Sequence, residues 1–136
     1  MEDSELKLIL ENSKTIAVIG CSSNPEKAAH RIPKYMKENG YKMIPINPNS
    51  HEILGEKCYK SILDIKEKVD IVNIFRPSEE CLDVVEEAIK IKPKAIWMQT
   101  GIINEDANRL AEKNGIKVVM DKCMMVEHRR LQVRSK

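Results

Sequence analysis

The sequence predicts a single α/β domain: a Rossmann-like fold with a five-stranded, mostly parallel sheet and helices on both faces. Apolar runs of strand length alternate along the chain with amphipathic runs of helix length, which indicates a parallel sheet with right-handed crossovers. Most of the short runs are continuous apolar stretches and do not alternate with polar residues, as in parallel strands that are buried on both faces. The length of 136 residues suits one domain with a core that is stable without cross-links.

Five short apolar segments are predicted as the strands of this sheet. They are Thr15–Ile19, Met43–Ile46, Val69–Phe75, Ala95–Met98 and Lys117–Met120. No repeat, low-complexity tract or internal linker divides the chain. We therefore expect an N-terminal helix in residues 1–14, the domain itself in residues 15–131 and a tail in residues 132–136.

Two helices, after the third and fourth predicted strands, have clear end signals. Ser78 is the expected N-cap of a helix over Glu79–Lys90, with carboxylates in the first turn, where they suit the helix dipole. Asn104 has the same position before a helix that ends at Asn114, and Gly115 follows as the C-terminal stop. Both segments carry apolar residues at helical spacing, so each predicts a helix with one buried face.

The first crossover helix, which ends at Asn39-Gly40, contains Pro33. Because proline has no amide hydrogen, we expect Pro33 in the first turn and the regular helix to begin near Ala29 or later. The loop after Gly20 then has about eight residues, longer than the roughly 2–6 that are usual between a strand and a helix. A long loop at this position indicates a ligand.

Four further segments are less regular. We predict a short helix over Met1–Ser13 and a loop with a short edge segment over His51–Tyr59. We predict one helical turn over Ser61–Ile65 and a solvated end over Arg129–Lys136. The first of them would pack Leu6, Ile9 and Leu10 against the sheet.

Composition and charge exclude several classes of protein. The net charge of +2 is small and dispersed, and aromatic residues make up only 4% of the chain, so nucleic-acid binding is not indicated. No apolar stretch approaches the roughly 20 residues that span a bilayer, which argues against a membrane protein. The first residues are acidic, unlike the basic start of a signal peptide, and we expect a cytoplasmic protein.

Side chains for catalysis or metal binding do not form a recognisable set. The four cysteines lack a C-x-x-C pair, so reduced thiols are expected, with neither zinc nor disulfides. His30, His51 and His128 are far apart in sequence and are interpreted as surface or helix-end residues. Cys21 is interpreted as a small buried side chain. The alternative hypothesis is a thiol whose pKa is lowered by the nearby helix N-terminus.

Polar residues follow every predicted strand. They are Gly20–Lys27, Asn47–Ser50, Arg76–Ser78, Gln99–Gly101 and Asp121–Cys123. In open parallel sheets, ligands bind outside the carboxyl ends of the strands, where the strand order reverses. Ordinary turns explain any one of these segments, but the five together indicate a ligand site at this edge of the sheet.

The first loop has the features of a phosphate cradle without a standard motif, since neither the Walker sequence nor G-x-G-x-x-G is present. Gly20 would let the backbone approach a phosphate, Ser22 and Ser23 offer hydroxyl groups, and the following helix presents its amides. The candidate countercharges are Lys27, Arg31 and Arg76. We expect Gly20→Val to abolish ligand binding with only a modest loss of stability, because Gly20 ends a strand.

The end of the second strand distinguishes between nucleotide cofactors. NAD-binding folds place an acidic residue there for the ribose hydroxyl groups, and NADP-binding folds favour arginine. This chain has Asn47-Pro48 at that position. The sequence therefore argues against a nicotinamide-dependent dehydrogenase.

Four longer segments carry a resemblance to a known family. They are IAVIGCSSNPEK, NGYKMIPINPNSHEILGEKCYKSILDI, VDIVNIFRPSE and KAIWMQTGIINEDANRLAEKNGIKVVMDKCMMVEHRRL. In them the chain resembles the small stand-alone CoA-binding proteins, whose domain is similar to the N-terminal domain of the succinyl-CoA synthetase alpha subunit. The resemblance runs from about Thr15 to Leu131. The combination of INP, FRPSE, WMQTGI and MDKC at these intervals makes it specific.

The resemblance implies a site for coenzyme A or an acyl-CoA across the strand ends. The implied pyrophosphate loop consists of Gly20, Ser22, Ser23, Asn24 and Pro25, with Lys27 as a candidate countercharge. Asn47 and Pro48 would border the nucleotide, and Phe75, Arg76 and Pro77 would line the adjoining groove. The pantetheine arm would extend toward Gln99, Thr100 and Gly101. Two departures from the family pattern are Pro33, in a helix expected to be uninterrupted in relatives, and Ala28-Ala29, which replace small polar residues.

Binding without catalysis is the function that the resemblance favours. The phosphorylated histidine and the nucleotide-grasp machinery of the synthetase belong to domains outside the matching segments. We therefore expect a non-enzymatic CoA-binding or regulatory module, with a homodimer left open as its assembly. An NAD(P)-dependent oxidoreductase and a partner-dependent subunit of an acyl-CoA synthetase remain as alternatives.

Overall fold

A five-stranded parallel sheet is the centre of the computed structural model, which describes residues 1–136. Its strands and those of a separate hairpin are β1 (Thr15–Ile19), β2 (Lys42–Ile46), β3 (Glu52–Ile53), β4 (Glu56–Lys57), β5 (Ile71–Ile74), β6 (Ala95–Met98) and β7 (Lys117–Val119). The helices are α1 (Asp3–Glu11), α2 (Ala28–Glu38), α3 (Cys81–Ala88), α4 (Glu105–Lys113) and α5 (Met124–Arg130). The predicted fold class is confirmed.

The order of the strands in the sheet is β2-β1-β5-β6-β7, and every neighbouring pair is parallel. The chain therefore forms β2 on one side of β1 and then crosses to the other side to form β5. This is the order of flavodoxin-like doubly wound sheets, in which the ligand crevice lies where the strand order reverses. In this chain the reversal lies between β1 and β5.

Helices cover both faces of the sheet, because successive side chains of a strand point to opposite faces. Ile16 and Met36 belong to the core on the side of α1, α2 and α5, whereas Ala17 and Val85 belong to the core on the side of α3 and α4. The strands are mostly apolar because both of their faces are buried. None of the helices combines the length and the apolar character needed to cross a membrane.

Most predicted elements are present, with small differences in their bounds. The strand predicted over 69–75 is confined to β5. The predicted edge segment is the hairpin of β3 and β4, and Tyr59 forms one parallel bridge to Ile46 at the end of β2. The predicted helical turn is a 3-10 turn that Ser61 caps, since Ser61 Oγ accepts a hydrogen bond from the Leu63 N–H.

The predicted signals at the helix ends are correct for α4 and wrong for α3. Asn104 caps α4 by accepting a hydrogen bond from the Ala107 N–H at 2.9 Å, and Gly115 follows the helix with a φ of +76°. Ser78 does not cap α3, which the chain enters through a 3-10 turn. Its Oγ instead accepts from the Ile103 N–H at 3.0 Å, so the hydroxyl joins two loops at the edge of the sheet.

Pro33 lies in the second turn of α2, not in the first turn as predicted. The helix begins at Ala28, so the missing amide hydrogen of Pro33 leaves the Ala29 carbonyl without its helical donor. That carbonyl accepts a hydrogen bond from the Ser22 N–H at 3.0 Å. The proline is tolerated at this depth because the loop before the helix supplies the donor that proline lacks.

The C-terminal segment is attached to the domain, although six of the eight residues predicted as a solvated end over 129–136 are exposed. The helix α5, which the sequence did not predict, buries His128. The Nδ1 of His128 lies 2.8 Å from the Tyr35 hydroxyl group of α2. Arg130 donates two hydrogen bonds to the Asp3 carboxylate of α1. These contacts attach α5 to elements from the other end of the chain.

Gly20 ends β1 in close contact with the chain that leaves β5. Its φ is +81°, and a Cβ atom at this position would lie 2.7 Å from the Phe75 carbonyl oxygen. Real Cβ atoms do not approach a backbone oxygen so closely, and neither backbone can move without disturbing the sheet. The expectation that a larger residue would cost little stability is therefore wrong.

We expect Gly20→Ala to lower the free energy of unfolding by about 2 kcal/mol or more, since the left-handed backbone alone costs a non-glycine residue about 1–3 kcal/mol. Urea unfolding followed by circular dichroism measures the loss. Gly101→Ala is the matched control, because Gly101 has a φ of +82° but its added Cβ would meet nothing within 4 Å. Equal losses in the two variants would contradict a role for the Phe75 contact.

His128 makes the stability of the fold depend on pH. Burial lowers its pKa, and the nearby charges of Lys136 and Arg129 lower it further. In the unfolded chain a histidine titrates near about 6.5, so below that pH the unfolded state binds more protons than the folded state. The stability that a neutral His128 provides is therefore present above about pH 6.5 and is lost as the pH falls toward the lowered folded pKa.

We expect the free energy of unfolding to be smaller at about pH 5.5 than at about pH 7.5, and the difference to shrink in His128→Phe. Urea titrations at the two pH values measure both quantities. His51→Phe serves as the control, because His51 is exposed and lies away from the buried surroundings of His128. A wild-type pH dependence in His128→Phe would show that another group is responsible.

Candidate functional site

A cleft of about 530 Å³ opens at the carboxyl ends of β1, β2 and β5. The loops that follow these three strands form much of its wall, and α3 and the 3-10 turn after Ser61 complete it. The predicted site residues that line the cleft are Gly20, Ser22, Lys27, Asn47, Pro48, Phe75 and Arg76. The cleft lies where the strand order reverses, as expected for a doubly wound sheet.

The other predicted site residues lie outside this lining. Ser23, Asn24 and Pro25 form the exposed tip of the first loop, Pro77 is exposed beside Arg76, Thr100 and Gly101 are exposed after β6, and Gln99 is buried. The structure thus brings the loops after β1, β2 and β5 together and leaves the loop after β6 apart from them.

Gln99 has a structural use that explains its burial. It is only 3% exposed, its Nε2 donates to Asn73 Oδ1 at 2.6 Å, and its Oε1 accepts from the Met124 N–H at 3.2 Å. The side chain therefore connects β5, β6 and the start of α5. Both ends of its amide group are occupied within the protein.

The loop after β1 is fastened to α2 at Ser22. The Ser22 N–H donates to the Ala29 carbonyl, and the Ser22 carbonyl oxygen lies 2.7 Å from His30 Nδ1. The Ser22 hydroxyl oxygen accepts from the Asn24 N–H at 3.0 Å, which leaves its own O–H free to donate. The loop can therefore present a hydroxyl donor and backbone amides to an anion from a fixed position.

Asn47 connects the loop after β2 to the loop after β1. Its Nδ2 donates to the Cys21 carbonyl at 2.9 Å, and its Oδ1 accepts from the Asn49 N–H at 2.8 Å. The end of β2 thus carries a neutral amide group that is already engaged, at the position where NAD-binding folds have a free carboxylate.

The charged groups of the cleft are three cations and one carboxylate. The guanidinium of Arg76 is paired with Glu80, with Nε donating to Oε1 at 3.2 Å, and Lys27 and Lys60 lie on other parts of the wall. Glu87 of α3 is the carboxylate. The excess of positive charge in a concave surface favours an anionic ligand.

Ten of the 17 residues that line the cleft are not among the predicted site residues, and five of these ten belong to residues 60–62 and to α3. These five are Lys60, Ser61, Ile62, Val84 and Glu87. A weak signal existed for the first two, since Tyr59 pairs with the end of β2 and Ser61 is a recognisable cap. No feature of the sequence indicated that α3 lies beside these residues, because that contact arises only when the helix packs against the 3-10 turn.

Cys21 is fully buried, as the favoured interpretation predicted. Burial raises its pKa to about 12, with a smaller contribution from Cys58, and the hydrogen bond from the Ser22 N–H only partly opposes this. The alternative hypothesis of a lowered pKa is therefore wrong, because loss of hydration outweighs the field of the helix. All four cysteines are free thiols in the structure.

Small proteins of known sequence or structure are similar to this chain over nearly its whole length. The uncharacterized protein YneT of Bacillus subtilis (strain 168) is 41% identical over 125 residues, which cover 92% of this chain and 93% of YneT. The solved structure of a hypothetical protein from Pyrococcus horikoshii OT3 superposes with a TM-score of 0.94 at 39% identity. That superposition covers 97% of this chain and 93% of the other.

Longer proteins contain a similar domain as one part. The ADP-forming acetate–CoA ligase of Methanocaldococcus jannaschii is 33% identical over 130 residues, which are 90% of this chain but only 18% of the ligase. The sequence model of the family described as "CoA binding domain" matches residues 14–129. With the strand order, the cleft and these similarities in agreement, the chain belongs to the CoA-binding domain family.

Proposed function

We propose that this chain binds coenzyme A or an acyl-CoA in the cleft between β1, β2 and β5, as a binding or regulatory module without catalysis of its own. The observation that carries the proposal is the meeting of the Gly20–Lys27 loop with Lys60 and Arg76 at the point where the strand order reverses. Membership of the CoA-binding domain family supports the choice of ligand.

The pyrophosphate of the ligand would lie against the loop after β1. Ser22 offers its O–H and α2 begins directly behind the loop, so a hydroxyl donor and oriented amides converge on one place. Lys27 lies at the start of α2, and Arg76 faces the loop from the end of β5. Together they supply the positive charge that two phosphate groups require.

Two observations favour binding over the alternatives of redox or covalent chemistry. The amide of Asn47 is occupied by the neighbouring loops, so the end of β2 offers no carboxylate to the ribose of NAD. The Cys21 thiol, with a pKa near 12, stays protonated at neutral pH and is a poor nucleophile.

A partner-dependent role in acyl-CoA synthesis is the second candidate. It is favoured by the acetate–CoA ligase of Methanocaldococcus jannaschii, in which the similar region is 18% of the protein. In that case this chain would present CoA to a separate catalytic protein. A neighbouring gene that encodes the remaining ligase domains would favour this role over a free-standing binding module.

Calorimetric titration of the purified protein with CoA, dephospho-CoA, NAD and NADP at one salt concentration tests the proposed ligand. We expect CoA to bind most tightly, because its additional phosphate, which dephospho-CoA and NAD lack, meets the cations of the cleft. NAD and NADP should bind more weakly because Asn47-Pro48 stands at the end of β2 in place of the carboxylate or arginine that holds their ribose. Tighter binding of NAD or NADP would overturn the proposal. If none of the four ligands binds, the loop after β1 is an ordinary turn and not a phosphate site.

We expect Arg76→Ala to weaken CoA binding by about 1–3 kcal/mol, the range of a hydrogen bond to a charged group. Arg109→Ala is the matched control, because Arg109 is also a surface arginine paired with a nearby carboxylate, that of Asp106, but lies outside the cleft. Calorimetry gives both affinities, and circular dichroism checks the fold. Equal affinities of the two variants would remove Arg76 from the site.

A further inference from the structure

The edge at which the strands of the parallel sheet begin, opposite the cleft, carries a row of lysines. One lysine lies within three residues of the start of each strand, and all five are exposed: Lys14, Lys42, Lys68, Lys94 and Lys117. Neighbouring strands are about 4.8 Å apart, so the row is about 20 Å long. We call this edge the amino edge. A partner that binds there meets several positive charges along a line.

Two of these lysines have no carboxylate partner. Three of the five form ion pairs, whereas Lys14 and Lys68 form none. These two line a cavity of about 340 Å³ that has no apolar residue in its wall, which we call the lysine cavity. Its one carboxylate, that of Asp70, is only 10% exposed and is occupied, since Oδ2 accepts from the Lys14 and Thr15 N–H groups at 2.8 and 3.1 Å. The lysine cavity therefore has an excess of positive charge that suits an anionic group.

An apolar groove continues from the lysine cavity along α1. It has a volume of about 520 Å³ and shares Asn12 and Lys94 with the cavity. Leu8, which at 55% is the most exposed of the large apolar side chains, lies in its wall with Ile9. We call it the α1 groove. The Lys94 ammonium group donates to the Asn12 carbonyl at 2.7 Å, which holds this lysine where the two hollows meet. An apolar groove with a charged rim favours contact with another protein.

The two hollows together select the class of partner. A small anion would occupy the lysine cavity but would leave Leu8 exposed to water. A nucleic acid would find neither an arginine nor an aromatic ring for stacking a base in either wall. A peptide segment with carboxylates next to an apolar side chain suits both hollows, because the carboxylates meet Lys14 and Lys68 while the apolar side chain covers Leu8.

We propose that the amino edge is the docking site for an acidic segment of another protein that also carries an apolar side chain. The carboxylates of the segment lie in the lysine cavity, and its apolar side chain lies in the α1 groove. The packed sheet separates this site from the cleft at the carboxyl ends of the strands. A partner that binds there leaves the cleft open, and the inference does not depend on the proposed function.

An acetylated and amidated octapeptide of one leucine followed by glutamates is the probe for this site, added to protein labelled with nitrogen-15. We expect the peptide to shift the amide signals of residues 8–15, 68–70 and 94. Lys68→Glu should weaken its binding about threefold or more, the scale of an exposed ion pair. Lys34→Glu is the matched control, because Lys34 is an exposed lysine of α2 outside both hollows and the two variants have the same net charge. It should keep the wild-type affinity.

Leu8→Ser tests the apolar contact and should also weaken the peptide about threefold or more, because part of the burial of a leucine is lost. Leu63→Ser is its control, since Leu63 is 45% exposed but lies on the 3-10 turn. Wild-type affinity in Leu8→Ser would indicate a small-anion site and overturn the proposal. Equal losses in Lys68→Glu and Lys34→Glu, or no amide shifts at the amino edge, would overturn it as well. Tighter binding of a DNA octanucleotide than of the peptide would replace it with a nucleic-acid site.

Discussion

The cleft depends on the way in which two neighbouring strands end. β1 and β5 remain paired as far as the Phe75 N–H, which donates to the Ile19 carbonyl at 2.9 Å, and Gly20 packs directly against the Phe75 carbonyl. Beyond this contact the chain leaves β1 toward α2 on one face of the sheet and leaves β5 toward α3 on the other. A gap must open between two chains that diverge in this way. The topology therefore determines where the cleft lies, and the loops determine its chemistry.

The strands were predictable because burial on both faces leaves a local pattern, and β1 and β6 have the predicted bounds. The helix α5 has no comparable pattern. Its last three residues are His128, Arg129 and Arg130, which in isolation are typical of a solvated tail. They are held by Tyr35 and Asp3, which lie roughly a hundred residues earlier in the chain. A contact of that kind cannot be deduced from the residues around it.

The rule that ligands bind at strand ends located the phosphate loop and the residues after β2 and β5, but it does not specify on which face of the sheet a side chain lies. Gln99 follows β6 at the predicted level, yet its side chain lies with Asn73 beneath α5 and is buried. Glu87 shows the converse case. It lies on a helix, far from any strand end in sequence, and reaches the cleft because α3 packs beside the 3-10 turn.

Pro33 has a consequence for the entropy of binding. In a helix without it, an N–H of the same helix would also donate to the Ala29 carbonyl, and the Ser22 N–H would have to share that acceptor. With the proline, the loop is anchored before any ligand arrives. Fixing the backbone of one residue costs roughly 1–2 kcal/mol, so a loop that is already ordered spares the ligand that cost for each residue it contacts. The residue that interrupts the helix thus makes the adjoining loop a rigid receptor.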